Sequence, residues 1–252
     1  MTTESTPDFE TNWALFLDVD GTLLDLAEHP DNVKIPPTLI DILLVMQRTD
    51  SLPIALVSGR PIVLLDRLFA PLHLPTAGQH GAERRRADGK IIRDQSSHTA
   101  LMDVRENLRR IEQRNAGLFL EDKGLTLALH YRRAPHLQYE IENIVKSAIQ
   151  NLDDDLVLVP GNMVLEIRSG RRDKGVAITE FMGEKPFSGR IPVFIGDDVT
   201  DEDGFARVNI LDGYSIKVGM GSTAARWRLP NVSSVHDWLI QYAQWMESMK
   251  TS

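Results

Sequence analysis

Asp18-Val19-Asp20-Gly21-Thr22 follows directly on the apolar run Trp13-Ala14-Leu15-Phe16-Leu17. Such a run reads as a buried strand, so both carboxylates emerge where desolvation penalises charge by several kcal/mol. A cation or a reacting group beside them would explain why they are kept. Gly21 lets the backbone turn sharply, and Thr22 adds hydroxyl and amide donors suited to an anion. A nucleophile, a proton donor and part of a metal site can share these five residues.

A second acidic stretch has the same setting. Pro192-Val193-Phe194-Ile195 reads as a buried strand, and Gly196-Asp197-Asp198-Val199-Thr200-Asp201-Glu202-Asp203 follows it. Its acids would repel by roughly a kcal/mol per close pair without a cation. Thr200, Glu202 and Asp203 suit a helix start. That leaves Asp197, nearest the strand end, to bind metal, with Asp198 or Asp201 in support. Joined to Asp18 and Asp20, the set is all oxygen and suits magnesium. A calcium loop counted from Asp18 is excluded, because its sixth position is Leu23 rather than Gly and its twelfth is His29 rather than Glu. A solvated acidic turn is the remaining rival, and the second cluster weakens it.

An anionic substrate beside these acids needs donors and positive charge. Ser58, between the apolar run Pro53–Val57 and Gly59-Arg60-Pro61, offers a hydroxyl and amides to a phosphate oxygen, or simply caps a helix. Lys174 opens a helical pattern in Asp173-Lys174-Gly175-Val176-Ala177, against the helix dipole, so helical preference does not explain it. It can neutralise Asp18 and a phosphoryl oxygen together. The chemistry these pieces suit is phosphoryl transfer. Asp18 acts as nucleophile and forms an acyl phosphate. Asp20 protonates the leaving oxygen and then deprotonates the water. Magnesium, Lys174 and Ser58 neutralise the equatorial oxygens.

The elements that must position these residues alternate. Trp13–Leu17 and Pro53–Val57 read as strands, Leu39–Gln47 and the stretch from Ser58 to about Phe69 as helices. That order predicts right-handed crossovers and a parallel sheet covered on both faces, with ligands at the C-terminal strand ends. From Glu83 the texture changes. A strand-turn-strand bends at Asp88-Gly89, helices follow over Met102–Arg114 and His136–Asn151, and Gly124–Tyr131 reads as a strand between them. After Asn162, Val164–Ile167, Pro192–Ile195 and Tyr214–Val218 resume the alternation. The expected architecture is an α/β core over residues 1–82 and 162–252, interrupted by a smaller α+β insert over residues 83–161.

Totals narrow the class. The 252 residues carry 28 basic and 36 acidic side chains, a net charge of −8 that argues against a nucleic-acid partner. Between Ala82 and Leu165 the count is 13 of each sign, so the flanks carry the whole surplus, 15 against 23. A neutral insert can meet an anionic substrate. There are no cysteines, which excludes disulfides, zinc-thiolate sites and cysteine catalysis. The polar start Met1–Pro7 does not read as a signal peptide, and no apolar run approaches the ~18 residues of a membrane span. A cytoplasmic monomer without membrane contact is the expectation.

The motifs Asp18-x-Asp20-Gly21-Thr22, Ser58, Lys174 and Gly196-Asp197-Asp198, in that order, resemble those of the haloacid dehalogenase (HAD) superfamily of phosphohydrolases. Val57-Ser58-Gly59-Arg60, Gly78-Gln79-His80-Gly81-Ala82-Glu83, Leu129-His130-Tyr131-Arg132, Leu165-Glu166-Ile167-Arg168 and Gly196–Glu202 are further similar to the trehalose-6-phosphate phosphatases. The resemblance implies a Rossmann-like core with an inserted α/β cap, and magnesium-dependent conversion of trehalose 6-phosphate to trehalose. It implies Asp18, Asp20, Ser58 and Lys174 as catalytic and Asp18, Asp20, Asp197 and Asp198 as metal ligands. Thr22, Gly59 and Arg60 would meet the substrate in the core, and Glu121, Lys123, Arg132 and Glu166 would read the sugar from the cap. Carboxylates and cations at such positions suit sugar hydroxyls. His80 and His130 read as supporting residues. A phosphatase for sucrose 6-phosphate or a mannosyl phosphate, a phosphomutase, and a regulator without turnover are the competing functions.

Overall fold

The structure, a computed structural model, describes residues 6–26, 35–48, 52–95, 98–150, 156–161 and 163–250. The start of the chain through Ser5, His29, the expected helix end at Asn151 and the expected boundary residue Asn162 lie outside them. The described chain divides into two compact units, one of residues 1–91 with 173–252 and one of residues 92–172.

The first unit is built on β1 (Trp13–Leu17), α1 (Pro37–Gln47), β2 (Ile54–Val57), α2 (Ile62–Leu68), β3 (Thr76–Gly78), β4 (Glu83–Arg85) and β5 (Ile91–Arg93), where the chain passes into the second unit. The second unit contains α3 (His98–Arg114), β6 (Phe119–Asp122), β7 (Leu127–His130), α4 (Gln138–Gln150), β8 (Leu156–Gly161) and β9 (Val164–Ser169). The chain then returns through α5 (Lys174–Met182), β10 (Ile191–Gly196), α6 (Glu202–Ile210), β11 (Tyr214–Val218), β12 (Trp227–Leu229) and α7 (Val232–Lys250).

One sheet runs in the order β12-β11-β10-β1-β2-β3-β4-β5. Pairing is parallel from β12 through β3 and turns antiparallel at β4. All five residues of β1 are buried, as a strand covered on both faces requires. Its side chains alternate. Trp13, Leu15 and Leu17 join the cluster with α1 and α7, while Ala14 and Phe16 pack with Ile178 and Phe181 of α5 and Phe205 of α6. Val235, Leu239, Tyr242 and Met246 keep the spacing that turns one stripe of α7 to the sheet.

The second unit has its own sheet, β6-β7-β9-β8, antiparallel throughout. Leu120, Leu127, Leu129, Leu165 and Ile167 pack there with Leu101, Val104 and Leu108 of α3 and Ile141 and Val145 of α4. The mostly parallel core and the smaller α+β unit therefore match the expected fold class. Two placements differ from the sequence-based expectation. β4 extends the core sheet, and β9 pairs with β7 and β8 in the second unit instead of resuming the core alternation. A short apolar run reads alike in either sheet, since pairing partners decide where it goes. Among the described residues no helix is long and apolar enough to cross a membrane.

Candidate active site

β1 lies between β10 and β2, so whatever follows it sits at the middle of the sheet's C-terminal edge. Asp18 is the first residue past its end, fastened by its N–H to the carbonyl of Ile195 on β10 at 3.0 Å. It is 4% exposed. Burial, then the charge of Asp201, pushes its carboxyl well above the ordinary carboxylate range, against the opposing pull of Lys174. The next residues curl back, with the amides of Leu23 and Leu24 donating to the carbonyl of Val19. Gly21 makes this possible at φ +82°, and a Cβ there would stand 2.0 Å from a carboxylate oxygen of Asp197.

Lys174 arrives from the far side. It is the first residue of α5, whose N-cap Asp173 accepts from the N–H of Val176 at 2.7 Å. Its Nζ donates to Asp18 Oδ1 at 2.8 Å and to Asp201 Oδ1 at 2.6 Å. Burial alone would lower the lysine's pKa, but the two carboxylates prevail and hold it above its ordinary value. The expected pairing of Lys174 with Asp18 is therefore present, with Asp201 as a second partner.

The acidic stretch after β10 separates Asp201 from Asp198. Asp201 turns inward and is fully buried, and its Oδ2 accepts from the amides of Asp197 and Asp198 at 2.9 Å each. It can do so because Gly196 has no side chain, since a Cβ there would be 2.4 Å from the Asp201 carboxyl carbon. Asp198 is exposed and serves as N-cap to the one-turn 3₁₀ helix Val199–Asp201 that leads into α6. Burial and then Asp201 raise Asp197 to about 6. Among the described residues, Asp18, Asp197 and Asp201 form an acidic group whose oxygens lie within 4.8 Å of one another. Three carboxylates against the one ammonium of Lys174 leave surplus negative charge, and an oxygen-only set fits a hard divalent cation. Of Asp198 and Asp201, the two acids expected to support Asp197, Asp201 is the one that joins this group.

The side chain of Asp20 lies outside this acidic group. Arg60 holds it as a fork, Nε to Oδ2 at 2.7 Å and Nη2 to Oδ1 at 2.8 Å. Both carboxylate oxygens of Asp20 are therefore engaged by one guanidinium. Thr22 is fully buried and its hydroxyl donates to Asp197 Oδ1 at 3.3 Å. It positions a carboxylate of the acidic group. Ser58, just past β2, is buried, and its hydroxyl accepts from the N–H of Arg60 at 3.1 Å. A hydroxyl that accepts still has its own proton to donate. Gly59 leaves the space in which His80 sits, for a Cβ there would be 2.5 Å from the imidazole.

Sequence reasoning gave Glu83 no chemical role. Its Oε1 accepts from the N–H of Ile62 at 2.8 Å and from Gln79 Nε2 at 3.2 Å, which braces the loop carrying Ser58 and Arg60. Lys217 was missed too, and its Nζ donates to the backbone carbonyl of Asp197. Its only sequence signal is a lysine between Ile216 and Val218 in β11.

Glu121, Lys123, Arg132 and Glu166 lie in the second unit. Glu121 and Glu166 share one row of its sheet, each opposite Ala128. Lys123 Nζ donates to Glu166 Oε1 at 3.4 Å, and His130 Nε2 lies 2.9 Å from Glu121 Oε2. Arg132 is exposed two residues past the end of β7 and joins none of these pairs.

A parallel sheet that gathers a buried aspartate, an ion-paired lysine and an acidic cation group at its C-terminal edge defines a phosphoryl-transferring α/β enzyme. The trehalose-phosphatase family model matches residues 16–233, and the chain belongs to that family. The trehalose-6-phosphate phosphatase of Escherichia coli (strain K12) is 41% identical over 234 residues, covering 93% of this chain and 88% of that protein. A protein of Sinorhizobium fredii named "Probable trehalose-phosphate phosphatase" is 46% identical over 209 residues, 82% of this chain and 78% of its own. The C-terminal domain of C. albicans trehalose-6-phosphate phosphatase shares the fold with a TM-score of 0.82 at 20% identity, over 96% of this chain and 99% of that one.

Proposed function

We propose that the chain hydrolyses trehalose 6-phosphate to trehalose and inorganic phosphate through an aspartyl phosphate on Asp18, acting as a cytoplasmic monomer on a small-molecule sugar phosphate. The carrying observation is the Lys174 bridge from Asp18 to Asp201 at the centre of the sheet edge. It holds the nucleophile in one orientation and puts a fixed cation beside the reacting oxygen. An Asp18 oxygen forms a bond to phosphorus as the bond from phosphorus to the sugar oxygen breaks, and Asp20 gives that oxygen a proton. Asp20 then takes a proton from the water that attacks phosphorus, which frees phosphate and restores Asp18. Arg60 engages both oxygens of Asp20, so each proton transfer requires the fork to release at least one of them. Ser58 and Lys174 donate to the phosphoryl oxygens. Magnesium held by Asp18, Asp197 and Asp201 would supply charge neutralisation at the phosphoryl group. Glu121, Lys123 and Glu166 are the side chains suited to sugar hydroxyls, and residues 92–172 are proposed as the specificity cap.

The test is phosphate release across a set of sugar phosphates, with magnesium and with EDTA. Trehalose 6-phosphate is expected to exceed glucose 6-phosphate and sucrose 6-phosphate at least ~100-fold in kcat/KM, and EDTA is expected to abolish turnover. Asp18→Asn should lower kcat at least ~10⁴-fold while the protein stays folded. Preference for another sugar phosphate would overturn the substrate, and a nearly active Asp18→Asn variant would overturn the nucleophile.

A further inference from the structure

The face of the second unit's sheet that turns away from α3 and α4 carries Phe119 and Glu121 from β6, Ala128 and His130 from β7, and Glu166 from β9. These residues alternate with the leucines of the core. Register sets their neighbours. Phe119 lies opposite His130, and Glu121 and Glu166 flank Ala128. Two strand spacings, about 9–10 Å, separate the backbones of the two glutamates, with only a methyl group between them.

His130 is held twice. Its ring lies against Phe119 at 5.6 Å between centroids and 32° between planes. Its Nε2 is 2.9 Å from Glu121 Oε2. A carboxylate accepts, so the proton is assigned to Nε2. Burial would raise the Glu121 carboxyl, but His130 and Lys123 outweigh it and keep the group below its ordinary value, as an acceptor. Among the described residues none donates to Oε1 of Glu121. One oxygen is tied and the other is available beside the alanine floor.

We propose that His130 is a positioning residue for substrate selection: by holding Oε2 of Glu121, itself braced by the Phe119 ring, it aims Oε1 at a hydroxyl of the sugar. The role rests on the trehalose 6-phosphate reading above, since a phosphate ester without a sugar presents no hydroxyl there. The contacts of His130 are to Glu121 and Phe119 within its own unit, so its effect is expected on sugar binding alone.

The test uses the full chain and two substitutions. His130→Phe keeps a ring against Phe119 and removes the donor, while His130→Gln keeps a donor near the Nε2 position. Both are assayed on trehalose 6-phosphate and on p-nitrophenyl phosphate. His130→Phe is expected to raise KM for the sugar phosphate about 10-fold with kcat within about 2-fold, and to leave both constants for the aryl ester unchanged. His130→Gln is expected to recover KM to within about 3-fold of the parent. In a Glu121→Ala background His130→Phe should add nothing, because the pair acts as one unit. Equal effects on the two substrates, a loss confined to kcat, a glutamine variant no better than phenylalanine, or additive effects with Glu121→Ala would each overturn the role. A parent active on trehalose 6-phosphate with neutral variants removes His130 alone. A parent active only on the aryl ester removes the substrate reading and the role together.

Discussion

Lys174 carries one charge and touches two carboxylates, Asp18 at 2.8 Å and Asp201 at 2.6 Å, while Asp197 completes the acidic group. The site is therefore under strain whenever no second cation is bound. Asp197 measures it, because burial and Asp201 hold it at about 6 instead of the ordinary 3.8. A raised carboxyl stabilises the fold when protonated, so this contribution is present below about pH 4 and is lost as pH rises through 6. Asp18 is displaced in the same direction. In EDTA the thermal midpoint should fall by roughly 5 °C between pH 5 and pH 7.5. Millimolar magnesium should remove most of that slope, and Asp197→Asn should reduce it without metal. A midpoint that rises over this interval in EDTA would contradict the charge assignment. Asp18, Lys174 and Asp197 were legible in the sequence, because each sits where a strand ends or a helix begins and has no bland job there. Which of Asp198 and Asp201 turns inward was not. Both are acids within one turn, and only the missing side chain of Gly196 admits the inward one. The fork from Arg60 to Asp20 joins residues forty apart in sequence, which no local pattern encodes.

At the scale of elements, α2 has no side-chain cap of its own. Its N-cap is Pro61, and Ser58 lies three residues upstream instead of capping it as the sequence suggested. The hydroxyl of Ser58 is thereby left at the strand end, where a phosphate oxygen could use it. The first amide of the helix is satisfied by Glu83, which accepts from Ile62 N at 2.8 Å. Gln79 and His80, at φ +49° and +55°, turn the chain between β3 and β4 and bring Glu83 there. A cap supplied from twenty-one residues downstream is invisible to a scan for N-terminal signals. Glu83→Ala leaves a buried amide unpaired, at a cost of about 1–3 kcal/mol. The thermal midpoint should drop by roughly 3–10 °C, and kcat should fall more than the midpoint alone explains, since the loop holding Ser58 and Arg60 loses its brace. Calorimetry together with phosphate release at a temperature well below the midpoint checks both. An unchanged midpoint would mean that another acceptor serves Ile62. β9 shows the same limit. The run from Val164 to Ile167 was correctly read as a strand, but its partners β7 and β8 could not be read from it.

At the scale of the whole molecule, each apolar cluster draws its residues from one unit only. Those around β1 use none from 92–172, and that of the second unit runs from Leu101 to Ile167. The second unit is continuous in sequence, and its two ends are fastened to each other by Arg172 Nε on Asp94 Oδ2 at 2.9 Å. A segment whose ends meet can be removed by closing a short gap, because loop closure costs little when the span is small. Replacing residues 95–171 by a few glycines and serines should therefore leave a core that unfolds cooperatively. The groups proposed for catalysis and metal binding, Asp18, Asp20, Ser58, Lys174, Asp197 and Asp201, all remain. Hydrolysis of p-nitrophenyl phosphate should stay within about 10-fold of the parent, because charge neutralisation at phosphorus belongs to the core. The kcat/KM for trehalose 6-phosphate should fall at least ~100-fold, since binding energy from the non-reacting part of a substrate is what the missing unit would supply. If the shortened chain still prefers trehalose 6-phosphate over the aryl ester as strongly as the parent does, sugar recognition lies in the core. If it folds but hydrolyses neither ester, the second unit takes part in chemistry as well as in selection.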